Sequence, residues 1–125
     1  MIKLMFCLRR HPSLTREEFL AHWRGPHADL GVAGAAALGA RRYVQNHTLT
    51  HDLNDALQSS RQAPAPFDGV VELWFDSTDA VATTFTDAEA RKAVRALIKD
   101  EPAFIDLENS PIFLTEEHEI WDSAT

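Results

Sequence analysis

The chain has 125 residues, 45% of them hydrophobic and 25% charged, with one cysteine and a formal net charge of −7. That length and apolar content suit a single globular unit, residues 1–125, and argue against intrinsic disorder. The acidic balance opposes binding to nucleic acid, which rests on a basic stripe, and one thiol builds neither an internal disulfide nor a two-cysteine metal site. No stretch approaches the roughly 20 apolar residues of a membrane helix, and the N-terminal run has neither the long apolar region nor the cleavage site of a signal peptide. A cytoplasmic protein with no membrane and no nucleic-acid partner is expected.

In chain order, Met1 to Arg9 reads as a strand, with Ile2, Leu4, Phe6 and Leu8 on one face and Lys3, Met5, Cys7 and Arg9 on the other. His11-Pro12-Ser13 breaks it. Thr15-Arg16-Glu17-Glu18 forms a capping box, so a helix should start near residue 15 and carry Phe19, Leu20, Trp23, His27 and Leu30 in one stripe. Gly25-Pro26 interrupts the phase and predicts a kink. Gly31 to Gly39 reads as a small, flexible stretch, and Arg41 to Thr48 as a second strand. Residues 49–66 form a long polar loop with room for one helical turn near Leu53 to Leu57, ending in Pro64-Ala65-Pro66. Phe67 to Asp76 alternates and predicts a third strand.

Ser77-Thr78-Asp79 then starts a short helix on which Val81 and Phe85 form a stripe. Thr86-Asp87-Ala88-Glu89 reads as a second capping box before a stripe of Ala90, Val94, Leu97 and Ile98. Pro102 ends this helix, a linker runs through Asn109, and Ile112 to Trp121 supplies the last strand. The order β-α-β-β-α-β predicts an α+β, ferredoxin-like fold: a four-stranded antiparallel sheet with two helices on one face. The other face, drawn from Met5, Tyr43, Val70, Trp74 or Phe113 according to register, is too apolar to sit in water. A homodimer with the sheets facing each other is the expected solution.

Several segments in this order resemble one known family. They are Ile2-Lys3-Leu4 through Leu8-Arg9-Arg10; Leu14-Thr15-Arg16-Glu17-Glu18-Phe19 with Trp23 and His27; Arg42-Tyr43-Val44-Gln45-Asn46-His47; Phe67-Asp68-Gly69-Val70 with Glu72-Leu73-Trp74-Phe75; and Glu116-Glu117-His118. Together they resemble the EthD family. The resemblance implies a ferredoxin-like fold, association as a dimeric α+β barrel, and a small organic ligand. Similar proteins include cofactor-independent dehydratases and decarboxylases acting on polyketide-like aromatic precursors and an isomerase of a small methylated lactone. Others accompany oxidative degradation pathways.

Among residues that could carry chemistry, His27 lies on the apolar stripe of the first helix, where an imidazole must be hydrogen-bonded and can act as a general acid or base. A core histidine holding the Gly25-Pro26 kink is the structural alternative. Tyr43 and His47 share a strand face with Gln45, while Asn46 points the other way; the phenol and imidazole could orient a carbonyl or stabilise an enolate. Glu72 lies opposite Val71, Leu73 and Phe75, as a carboxylate in the dimer cavity or as a partner for Arg9 or Lys3. Trp23 and Trp74 offer flat walls for an aromatic ligand, with core packing as the alternative. His47 and His51 are four apart but the second falls in a loop, His22 and His27 are five apart across the kink, and neither is a His-Glu-x-x-His arrangement, while Glu116-Glu117-His118 would need distant residues to complete a ligand set. Cys7 reads as an inert buried thiol, and no phosphate or dinucleotide motif is present, so neither a metal nor a cofactor is expected.

The leading expectation is a homodimeric, cofactor-independent enzyme of the EthD type, performing dehydration, decarboxylation or isomerisation on a small cyclic or aromatic substrate. His27, Tyr43, His47 and Glu72 would be its catalytic residues, and Trp23, Trp74 and Asn46 its substrate contacts. An oxidoreductase or monooxygenase-type role is one alternative, since dimeric α+β barrels include cofactor-free monooxygenases and haem-binding proteins. A non-catalytic small-molecule binding companion is the other.

Overall fold

The structure is a computed structural model describing residues 1–124. Its elements in order are β1 (Ile2–Leu8), α1 (Arg16–Arg24), α2 (Pro26–Leu38), β2 (Arg42–His47), α3 (Asp52–Arg61), β3 (Gly69–Phe75), α4 (Thr78–Thr86), α5 (Ala88–Asp100) and β4 (Ile112–Glu116). Short 3₁₀ turns at Glu101–Ala103 and Leu107–Asn109 join the last two. The sheet order is β2-β3-β1-β4 with every pairing antiparallel, which is the ferredoxin-like α+β fold.

Strand alternation divides the sheet. Leu4, Phe6 and Leu8 pair with Leu73, Val71 and Gly69, and this face meets the helices. One core cluster joins Phe6 and Leu8 to Phe19 and Trp23 of α1 and to Phe104 and Ile105; a second joins Phe75 to Leu38 of α2 and Ala90 of α5. The opposite face carries Lys3, Met5 and Cys7 of β1, Val70, Glu72 and Trp74 of β3, Arg42, Val44 and Asn46 of β2, and Phe113 of β4. No helix among the described residues is long and apolar enough to cross a membrane.

The capping box at Thr15 forms as expected: the Thr15 hydroxyl accepts from the Glu18 N–H, and the Glu18 carboxylate accepts from the Thr15 N–H. The kink at Gly25-Pro26 is a full break, because Pro26 has no N–H to donate to the His22 carbonyl and instead opens a new helix. The stretch Gly31 to Gly39 is not flexible: up to Leu38 it is part of α2, whose buried stripe is His27, Gly31, Gly34 and Leu38. Small residues here serve close packing. A Cβ on Gly31 would lie 2.6 Å from the Tyr43 ring, so the glycine is the notch that admits the phenol. Gly69 is a second notch, where a Cβ would meet the Trp23 indole at 2.4 Å.

Other expectations need correction. Tyr43 pairs with Leu73 and therefore lies on the helix face, not on the open face. The 49–66 loop contains the ten-residue α3, capped by His51 Nδ1 accepting from the Leu53 N–H at 3.0 Å. Thr86 does not cap α5; it ends α4, and Asp87 is the cap, its carboxylate accepting from the Ala90 N–H at 2.8 Å. Of the Val81 and Phe85 stripe, Val81 packs against the core and Phe85 is 79% exposed. The last strand stops at Glu116 because its partner β1 runs out at Ile2, leaving Ile120 and Trp121 in solvent.

Filling either notch overpacks a rigid aromatic contact. Gly31→Ala and Gly69→Ala are each expected to lower stability by about 1–3 kcal/mol, read from urea unfolding midpoints at constant slope.

Candidate active site

The last carbonyls of a helix have no partners within it. At the broken end of α1, the Gln45 side-chain amide of β2 supplies one, its Nε2 donating to the Trp23 carbonyl at 2.9 Å and also to the Tyr43 hydroxyl at 2.9 Å. A backbone carbonyl only accepts, so this contact fixes which way the amide points. Its Oε1 then faces His47 Nε2 at 2.9 Å and must accept a proton from it. Nδ1 of His47 is left with a lone pair. The ring packs against Trp23, with centroids 4.6 Å apart. Burial foremost, then the charges of Arg24 and Arg16, hold the His47 pKa below 6.5, which favours the neutral ring. Burial raises the Tyr43 pKa, with the Gln45 bond opposing, so its hydroxyl stays protonated.

His47 lines an open groove of about 420 Å³ together with Leu20, Ala21, Arg24 and Gly25. The groove exists because the chain breaks at Gly25. Arg16, on the first turn of α1, donates through Nη2 to the Thr48 carbonyl just past His47.

Across the break, His22 of α1 and His27 of α2 meet the same atom. His22 Nε2 and His27 Nδ1 each lie 2.8 Å from Asp100 Oδ2, at the end of α5. A carboxylate only accepts, so both nitrogens carry protons, and Nε2 of the buried His27 keeps its lone pair. Phe104 packs on both rings. Burial is the largest influence on His27 and outweighs the Asp100 contact, leaving its pKa below 6.5. Burial also pushes the Asp100 carboxyl up, but the bonds from His22 and His27 together hold it below 3.8. Next to it, burial and then the Asp100 charge raise Glu101 from 4.5 to about 7. Among the described residues, no group of three or more His, Cys, Asp or Glu side chains has the arrangement of a metal site.

The seven residues singled out in the sequence therefore fall on two sides of one sheet. His27, Tyr43, His47 and Trp23 lie on the helix side, with Trp23 fully buried. Glu72, Asn46 and Trp74 lie on the open side. Glu72 accepts from Lys3 Nζ at 3.4 Å and from Asn46 Nδ2 at 3.3 Å, while Lys3 and Arg42 sit 4.0 and 5.1 Å from the Trp74 ring centre. The sheet backbone separates the two groups within one chain.

Gln45, Arg24, His22 and Asp100 complete these clusters and were not singled out by sequence. Gln45 had a signal, its shared face with Tyr43 and His47. Asp100 had none, being 73 residues from His27.

The EthD domain matches residues 11–108, most of the chain. The chain belongs to the EthD family. No curated protein matches it. An EthD-family (ethyl tert-butyl ether D) protein from Bacillus halodurans C-125 is 18% identical over 94% of this chain and 99% of that one, with a TM-score of 0.63. A Bacteroides fragilis protein of unknown function, described as dimeric and ferredoxin-like, is 13% identical over 93% and 95% of the two chains, with a TM-score of 0.59. A Deinococcus radiodurans protein classed with the antibiotic biosynthesis monooxygenases is 16% identical over 98% and 97%, with a TM-score of 0.55. At these identities the likeness establishes the shared fold of this EthD protein.

The titrations of this region oppose one another. His27 and His47, lowered below 6.5, contribute stability that is complete above pH 6.5 and lost as pH falls through their folded pKa values. Glu101, raised from 4.5 to about 7, contributes stability that is complete below pH 4.5 and lost as pH rises through about 7. Glu101→Gln should therefore steepen the rise in unfolding free energy between about pH 5 and pH 7. An unchanged slope would show that Glu101 is not held protonated by burial.

Proposed function

We propose that this EthD protein is a homodimeric, cofactor-independent enzyme that moves protons on a small cyclic or aromatic substrate, in dehydration, decarboxylation or isomerisation. The observation that carries this reading is His47 at the edge of a groove, with its Nε2–H held by Gln45 and its Nδ1 without a hydrogen-bond partner among the described residues. Nδ1 takes a proton from a C–H next to a carbonyl, and the field of Arg24 and Arg16 favours the enolate that results. The imidazolium then returns the proton to another carbon, in isomerisation, or to a leaving hydroxyl, in dehydration. In decarboxylation Nδ1 first takes the proton of the substrate's carboxylic acid, and the imidazolium so formed gives it to the carbanion left by loss of carbon dioxide. Tyr43 acts through Gln45, which it holds in place.

In this reading His27 is a positioning residue that joins α1 and α2 through Asp100. Its own geometry favours a second assignment, with His27 as the acid or base, because Asp100 holds Nδ1–H and leaves Nε2 free as an acceptor. Glu72, Asn46 and Trp74 belong instead to the open face, which a second copy would cover. The apolar Met5, Val44, Val70 and Phe113 around them support that dimer, as does the dimeric description of the Bacteroides fragilis protein.

Incubation with 2-tetralone in D₂O tests the chemistry, followed by NMR detection of deuterium at the acidic carbon. Wild type should accelerate exchange, and His47→Gln should slow it by at least about a hundredfold with the fold intact by circular dichroism. Loss in His27→Gln alone would transfer the role to His27. No protein-dependent exchange, or full exchange in both variants, would overturn the proposal, and oxygen consumption in its place would point to the oxidative class. For assembly, sedimentation should give twice the 14.0 kDa chain mass, and Val70→Asp should return a folded monomer. A wild-type monomer at all concentrations would remove the dimer.

A further inference from the structure

We propose that the groove at the α1–α2 junction is a binding subsite for a small organic carboxylate, with Arg24 taking the carboxylate and Leu20 and Ala21 the carbon skeleton. The assignment names the substrate class of the site described above and rests on that reading, but its binding test needs no turnover.

Three observations carry it. First, Arg24 lines the groove and is solvent-exposed, and no carboxylate among the described residues pairs with its guanidinium. Other cations near the sheet are engaged: Lys3 by Glu72 and Glu117, and Arg41 by Asp76. Second, the chain as a whole is acidic, with 19 Asp and Glu against 12 Lys and Arg, yet the charged groups acting on His47 are two arginines, Arg24 and Arg16. The groove is a positive site in a negative protein, which concentrates small anions there. Third, the walls are of mixed character. A planar guanidinium matches a planar carboxylate through two parallel hydrogen bonds. Leu20 and Ala21 present carbon, and His47 Nδ1 is an acceptor without a donor among the described residues. A ligand with a carboxylate at one end, an apolar body and an acidic C–H or O–H facing the imidazole satisfies all three walls.

Sodium benzoate is the probe, with benzamide as its neutral counterpart of nearly the same shape. Titration of the ¹⁵N-labelled full chain should give saturable shifts of the Ala21, Gly25 and His47 amides with benzoate. Benzamide should bind at least about tenfold more weakly, and Arg24→Gln should weaken benzoate by a similar factor. Added sodium chloride should weaken the benzoate complex and leave benzamide unaffected. Equal binding of the two probes, shifts confined to residues outside the groove, or undiminished binding to Arg24→Gln would overturn the subsite. Arg24-dependent benzoate binding by a protein that exchanges no proton of 2-tetralone would leave the subsite standing and remove the enzyme reading. Exchange with no preference for benzoate would do the reverse.

Discussion

The break in the chain at Gly25-Pro26 is the constraint on which the rest of the site depends. A proline cannot donate to the carbonyl four residues back, so the helix begun at Arg16 ends at Arg24 and another begins at once. Three things follow from this single covalent fact. The Trp23 carbonyl is left without a helical partner and takes the Gln45 amide, which in turn sets the His47 tautomer. The end of α1 and Gly25 line the groove together with Arg24 and His47. Finally, His22 and His27 stand on either side of the break, close enough for one oxygen of Asp100 to accept from both. That carboxylate joins α1, α2 and α5 and limits the angle at which the break can open.

Magnitudes separate what holds the fold from what shapes the site. Burying each of Trp23, Phe19, Phe75, Phe104 and Leu8 contributes about 1.5–3 kcal/mol, and together they exceed what the polar contacts can add at about 0.5–1.5 kcal/mol per hydrogen bond. The polar groups matter through the cost of leaving them unmatched. A buried imidazole or amide without a partner loses its hydration and gains nothing in return. The core thus decides that the helices lie on this face of the sheet, and the Gln45 and Asp100 contacts decide which protons sit on which nitrogens.

Much of the scaffold was legible in the sequence, and the reason is locality. The Thr15 capping box, the proline break and the alternation of Val71, Leu73 and Phe75 each depend on residues within a few positions, and each formed where expected. Errors arose where a local signal had two meanings. The small residues of Gly31 to Gly39 suggested flexibility, but alanine favours helix, and the glycines serve contacts with Tyr43 and Leu97 that no local window contains. Thr86 and Asp87 could each have capped α5, and because α4 runs through Thr86 the cap falls to Asp87. Tyr43 went to the helix face because the register with Leu73 sets its side, and register is a property of the pair of strands.

By itself, the sequence determined the succession of the four strands, the position of the break, and that Tyr43, Gln45 and His47 share one side of a strand, because these follow from covalent geometry and from a side-chain period of two. Only the tertiary structure decided that Glu72 and His47 lie on opposite sides of the sheet from one another, that Asp100 reaches both histidines across 73 and 78 residues, and that Arg24, with no carboxylate partner among the described residues, lines the same groove as the His47 imidazole. Those facts depend on how strands register and how helices pack against them. The contacts that set them are long-range, and the free energy that selects them is summed over the whole core rather than written in any one segment.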